Sequence, residues 1–119
     1  MNAAGPGPAL DPAQAERLNT RCDMVVGACS AARVPSVCWG MGGRVHEDRR
    51  SVTLWLRRDQ AGQVLSDVAA TGAISAVFNV PATLETLQLK GRDARIRDAA
   101  EGDGFSLILS NRLRWYSSW

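Results

Sequence analysis

His46 is the only histidine in the chain, so neither a histidine-based catalytic dyad nor a multi-histidine metal site can form within one copy. It follows Arg44 at the edge of a turn and is expected there as a solvated residue. Cys22, Cys29 and Cys38 have six and eight residues between them, which fits neither a zinc knuckle nor a redox C-x-x-C pair. They are expected as reduced, partly buried thiols, and no metal is implied. Ser30, Ser36 and Ser66 lack the G-x-S-x-G setting of a nucleophile elbow, so hydrolase chemistry has no support. Gly40, Gly42 and Gly43 would need a helix directly behind them to form a phosphate loop, whereas Arg44 and Val45 continue as strand. Close approach of a neighbouring strand or of a flat ligand is the better use for these glycines.

Two groups remain that could hold a ligand. Arg57 and Arg58 end an apolar run just before a helix start, where backbone N–H groups and the helix dipole already favour an anion. They are the best phosphate anchor in the chain, and Trp55, in the same run, serves either the core or a flat ring. Arg112, Arg114, Trp115, Tyr116 and Trp119 mix basic and aromatic residues like a platform for single-stranded nucleic acid. Nothing upstream supports that use, and packing on the body of the protein or on a partner is expected. Fourteen Lys and Arg against twelve Asp and Glu leave a net charge of +2, too even for a dedicated nucleic-acid binder. Lys90 is the single lysine. No run approaches the ~20 apolar residues of a membrane span, and the N-terminus lacks the plan of a signal peptide, which together predict a cytoplasmic protein.

The elements that must position these residues are mostly strands. With 119 residues, 45% hydrophobic and 22% charged, the chain has room for one core. Residues 1–10 are mainly Ala, Gly and Pro, the composition of a flexible leader. Asp11 and Pro12 open a short helix that runs to about Leu18. Apolar runs of strand length follow at 24–29, 37–45 and 52–56, joined by short turns in an antiparallel meander. Asp59 is placed to cap a helix whose Ala61, Val64, Leu65 and Val68 make one buried stripe, and Gly72 ends it. Two more strands are predicted over 73–80 and 83–96, the second with Thr86 and Gln88 on the face opposite Glu85, Leu87 and Leu89 and a bulge at Gly91. Beyond Asp98 the pattern weakens to a turn over 102–104 and a strand over 105–109. Five strands with tight connections and one inserted helix favour a small barrel over an open sheet, because closure removes exposed edges.

The segments "VVGACSAARVPSVCWGMGGRV" and "RRSVTLWLRRDQAGQVLSDVAATGAISAVFNVPATLETLQLKGRDARI" resemble the core of the pyridoxamine 5′-phosphate oxidase-like FMN-binding split-barrel family. The likeness lies in the order of parts: a hairpin turning at a proline, a third strand running into a helix, the run "NVPATLETLQLKG", and a strand ending in Gly91. It covers about two thirds of the chain. What it implies is a split β-barrel that is mostly β with one inserted helix, assembled as a homodimer with FMN in a groove between subunits. By position, the flavin ring would lie along Trp55 and Leu56, the phosphate at Arg58 and Gln60, and Thr86 or Gln88 would face the ring. Arg44 closes the second strand, where flavin-binding members place a basic residue.

The sequence also departs from that family. Cys38 and its neighbours stand where the vitamin-metabolising oxidase has an arginine, and Gly62, Gln63 and Val64 replace the Arg-Lys pair expected near the helix start. Two charge-assisted phosphate contacts are missing, so oxidation of pyridoxamine phosphate itself is not expected, while FMN or a related flavin or deazaflavin is. The expected domain plan is a leader over 1–10, a barrel core over 11–98 and a tail over 99–119 that does not match the family's continuation, as in a chain cut short at its C-terminal end. The expected function is a flavin-dependent oxidoreductase with an unidentified small-molecule substrate and neither nucleic-acid nor membrane partners. The rival expectations are a non-catalytic split barrel used for dimerisation or small-ligand binding, and a truncated fragment.

Overall fold

Alternation of buried and open positions sets the architecture. In Ile74–Val80 (β5) and Glu85–Gly91 (β6) every second residue is buried, and the two strands pair antiparallel from Ile74↔Gly91 to Val80↔Glu85. Such period-two burial requires one face on a core and one face away from it. The computed structural model describes residues 9–20, 23–81, 84–98, 104–110 and 113–118. Within them the other strands are Asp23–Cys29 (β1), Pro35–Trp39 (β2), Gly42–Val45 (β3), Val52–Arg57 (β4), Arg95–Asp98 (β7), Phe105–Ser110 (β8) and Leu113–Ser118 (β9). They form a five-stranded sheet in the order β2-β1-β5-β6-β9 and a four-stranded sheet in the order β3-β4-β8-β7. Every described pairing is antiparallel. Met24, Val26, Phe78, Leu87 and Leu89 from the first sheet and Leu54, Leu56 and Ile108 from the second fill one core between them. The fold is a split β-barrel, mostly β, with one helix inserted between β4 and β5.

That helix, Arg58–Thr71 (α2), buries Ala61, Val64 and Val68, the stripe expected from their spacing. Gly72 ends it at φ 72°, its N–H donating to the Val68 carbonyl. A Cβ at Gly72 would lie 2.8 Å from the Arg92 carbonyl oxygen, so both the left-handed backbone and the close approach of the loop before β7 call for glycine. Asp59 does not cap the helix as its position suggested. The cap position is Arg57, without a side-chain bond, and the Asp59 carboxylate instead takes the Arg57 guanidinium at 2.8 and 3.2 Å.

A second helix, Pro12–Thr20 (α1), starts as expected, with Asp11 Oδ1 accepting from the Ala13 N–H at 2.8 Å. It lids one end of the barrel. Arg17 donates two hydrogen bonds to the buried Glu85 carboxylate, at 2.8 and 3.2 Å, and Asn19 brackets the Val45 backbone through its carbonyl oxygen and amide nitrogen.

Three expectations are corrected. The single strand over 37–45 is two strands in different sheets, because Gly40 donates its N–H to the Met24 carbonyl of β1 while Met41 donates to the Trp55 carbonyl of β4. The single strand over 83–96 is also two, with β6 in one sheet and β7 in the other, so only its end at 95–96 shares the sheet of residues 52–56. The residues from 105 onward, which carry a weak strand signal, supply β8, central between β4 and β7, and β9, paired to β6. Residues 1–8 of the leader, the turn over 102–103, Thr83, Cys22, Arg112 and Trp119 lie outside the described residues, while Leu10, expected in the leader, is buried in the core. Among the described residues no helix is long and apolar enough to cross a membrane.

Candidate cofactor groove

The outer face of the five-stranded sheet can be laid out from its register. Val37, Gly27, Ser75, Lys90 and Arg114 stand opposite one another in a row across β2, β1, β5, β6 and β9. Trp39, Val25, Val77, Gln88 and Tyr116 make the next row, and Asp23, Asn79 and Thr86 stand in the third. Residues directly opposite in a ladder point to the same face, and their chain neighbours Val26, Ala76 and Leu89 lie in the core, so these rows look outward.

The first row contains the opening. Gly27 contributes no side chain, and a groove of about 570 Å³ lies over it, lined by Val37, Ser75, Lys90, Arg114 and Tyr116, with Cys29 and Arg92 beyond the row. That volume is within the usual range for a small-molecule site. Its chemistry is graded along the row: Val37 and the bare Gly27 backbone at one side, the Ser75 hydroxyl in the middle, and Lys90, Arg92 and Arg114 at the other. Gln88 Nε2 donates to Ser75 Oγ at 3.2 Å, which fixes the hydroxyl that borders the floor. A flat, largely apolar group with a pendant phosphate fits this gradient, the ring over Gly27 and the anion among the three cations.

Among the described residues the groove's lining holds neither a carboxylate nor an imidazole. His46, which could have been a base, is held elsewhere, its Nε2 at 2.7 Å from Thr53 Oγ1. Ser36 borders the groove, yet its hydroxyl donates to Asp67 Oδ2 at 2.7 Å, and Asp67 is buried and also accepts from Gln63 at 2.9 Å. That set ties β2 to α2. Burial raises the Cys38 thiol above the ordinary cysteine range, so it is a poor nucleophile. Backbone hydrogen bonds, the largest from the Arg50 N–H, hold the Asp48 carboxyl below its usual range, and this group fixes the turn between β3 and β4.

The residues expected to hold the cofactor do not meet in one chain. Thr86 and Gln88 are half-buried on the outer face of the five-stranded sheet, beside the groove, and Thr86 Oγ1 donates to Asn79 Oδ1 at 3.0 Å. Arg44, half-buried Trp55, Arg58 and Gln60 belong to the four-stranded sheet and α2, with the core between the two sets. Leu56 is fully buried in that core, which leaves it no surface for a ligand. Sequence reasoning missed Gly27, Ser75, Arg92 and the pairing of Lys90 with Arg114. The last was within reach in the tail, where Arg114 and Tyr116 alternate with the buried Leu113 and the half-buried Trp115 in strand fashion.

No protein-family model matches the chain, and no curated protein matches it. Among solved structures it is similar to HupZ of Group A Streptococcus, at 15% identity and a TM-score of 0.72 over 91% of this chain and 94% of that one. General Stress Protein 26 from Bacillus anthracis str. Sterne is similar at 13% identity and a TM-score of 0.61, covering 88% and 91%. An F420 reductase is similar at 9% identity and 0.57, covering 85% and 94%. At these identities the likeness is one of fold.

Proposed function

We propose that this chain binds a flavin-type cofactor, FMN or a related deazaflavin, in the groove over Gly27, and that it works as an oxidoreductase in the form of a homodimer. The observation that carries the proposal is the single row in which a bare glycine floor meets Lys90 and Arg114, a place for a ring and a place for its phosphate. A split-barrel neighbour that is an F420 reductase agrees with a cofactor of this kind. When bound, the isoalloxazine or deazaflavin ring supplies the redox chemistry. The chain's own residues orient and hold: Ser75 and Gln88 border the ring edge, and Lys90, Arg92 and Arg114 neutralise the anion.

The dimer has its own support. Val34, Val37, Trp39 and Met41, on and beside edge strand β2, are 61%, 71%, 64% and 51% exposed, an apolar strip that borders the groove and suits burial against a second copy. Light scattering at micromolar concentration is expected to give twice the monomer mass.

The cofactor reading is tested by titrating FMN and riboflavin, by fluorescence quenching, against the protein and its Lys90→Ala/Arg114→Ala and Arg58→Ala variants. Losing two charge-assisted phosphate contacts of about 1.5 to 3 kcal/mol each should weaken FMN roughly a hundredfold or more in the double variant and leave riboflavin nearly unchanged. If Arg58→Ala alone separates the two ligands, the phosphate sits at the start of α2 and the groove assignment fails. If neither ligand binds the unaltered protein, the non-catalytic alternative takes its place.

A further inference from the structure

The outer face of the four-stranded sheet carries a second constellation, which the cofactor groove does not use. Its register places Arg44, Thr53, Leu109 and Arg95 in one row across β3, β4, β8 and β7. Gly42, Trp55 and Arg97 belong to the next row, and Arg57 stands one step further along β4. Leu54, Leu56 and Ile108, which alternate with these positions, are in the core, so the rows face outward. Arg44, Arg57, Arg95 and Arg97 are exposed and Trp55 is half-buried. None of these register positions holds a carboxylate. Asp59 pairs with Arg57 in a solvent-exposed bridge, their side chains 62% and 46% exposed, and such bridges yield readily to a competing anion. The even charge of the whole chain thus goes with a local cluster in which every charged side chain at these register positions is an arginine.

We propose that this face binds single-stranded nucleic acid. Arg44 and Arg95 sit three strand spacings apart, about 14 Å, which is too wide for one phosphate group and suits a chain of phosphates running across the strands. In the next row, beside that line, stands an aromatic ring with an open neighbour. Gly42 opposite Trp55 has no side chain, and a Cβ there would come within 3.8 Å of the indole Cε3. A half-buried indole set among arginines offers a base a stacking surface without sequence preference, and guanidiniums match phosphate geometry in a way lysines do not.

The test uses a fluorescein-labelled oligo-dT of about 15 nucleotides, followed by anisotropy across a salt series. Four neutralised phosphates give a slope of log K against log salt near −2.8, at about 0.7 per phosphate on a single strand. Arg95→Ala/Arg97→Ala should bring it to about −1.4. Trp55→Leu should weaken binding roughly fivefold or more with the slope unchanged, and Trp55→Phe should recover most of the loss. Arg33→Asn, which removes an exposed charge in the β1–β2 hairpin at a residue with φ 64°, should leave affinity and slope as they were. The variants at Arg95 and Arg97 change only exposed side chains, so folding does not obscure the result. Absence of binding at about 50 mM salt, or a slope unmoved by the double variant, overturns the proposal. So does tighter binding to vesicles of anionic lipid than to the oligonucleotide.

Discussion

Gly27→Val separates the fold from the groove in one substitution. A Cβ at Gly27 would lie 3.6 Å from the Ser36 carbonyl oxygen, 3.8 Å from Val37 Cγ1 and 3.9 Å from the Ser75 carbonyl oxygen, all ordinary van der Waals contacts. The residue is mid-strand between β2 and β5 and is not among the glycines with positive φ, so nothing in the backbone requires glycine. Replacing a strand glycine with a β-branched residue gains about 0.5 to 1 kcal/mol. For 119 residues, an unfolding entropy of about 0.25 kcal/mol/K turns this into a melting temperature higher by about 2 to 4 °C. The same side chain fills the floor of the groove. A ring that loses about 100 Å² of apolar contact there loses about 2.5 kcal/mol, roughly seventyfold in Kd. Thermal unfolding with and without FMN and riboflavin reads both effects together: the apo protein should melt slightly higher, and the stabilisation by either ligand should vanish. Undiminished binding of both ligands by Gly27→Val would refute the placement of the ring, and a marked loss of apo stability would refute the account of the strand.

Arg17→Met removes the guanidinium whose Nη2 donates to both oxygens of the buried Glu85 carboxylate. Because the Arg17 side chain is 31% exposed, the cost is set at about 2 to 3 kcal/mol, below the range for a fully buried pair, or a melting temperature lower by about 8 to 12 °C. Arg17→Met/Glu85→Leu should restore most of the loss in thermal denaturation, and equal losses in the two variants would show that the bridge is not its source. Cys38, with its thiol pushed up by burial, should be alkylated by iodoacetamide more slowly in the native protein than in urea at pH 8, with a native rate still climbing above pH 9. The folded state holds this proton more tightly than the unfolded one, so the contribution of Cys38 to stability is full below the unfolded pKa and declines as pH rises past it.

The elements most plainly written in the sequence are those whose burial follows a single period. The helix stripe of Ala61, Val64 and Val68, the Gly72 stop and the alternation along β6 are each set by neighbours a few residues away. The strands that crossed from one sheet to the other were legible only as longer strands. The apolar character of 37–45 is continuous, and what divides it is the change of hydrogen-bond partner from Met24 to Trp55 between Gly40 and Met41. Gly40 is the local sign of that corner, since a Cβ there would fall 2.7 Å from Met24 Sδ. Over 105–110 the signal was weak because part of the alternation runs against the hydrophobic pattern. Ser106 and Ser110 face the core with Ile108, at 1% exposure each, and Ser110 Oγ donates to Asp93, so inward positions carry hydroxyls that a hydrophobic pattern assigns to the outside.

The candidate site was less legible than the fold, for a related reason. Lys90 and Arg114 are 24 positions apart in the sequence, and Gly27 is far from both; only the antiparallel register of β1, β5, β6 and β9 brings them into one row. A register shift of one residue in β9 would turn Arg114 and Tyr116 into the barrel and Leu113 and Trp115 out of it. The buried Leu113 and the contact of Trp115 with Phe78, ring centroids 6.1 Å apart, exclude that shift. The core residues of β9 therefore hold its polar residues at the groove. A site made in this way depends on packing as much as on its own side chains, so substitutions at Trp115 that loosen β9 should weaken ligand binding without touching the ligand.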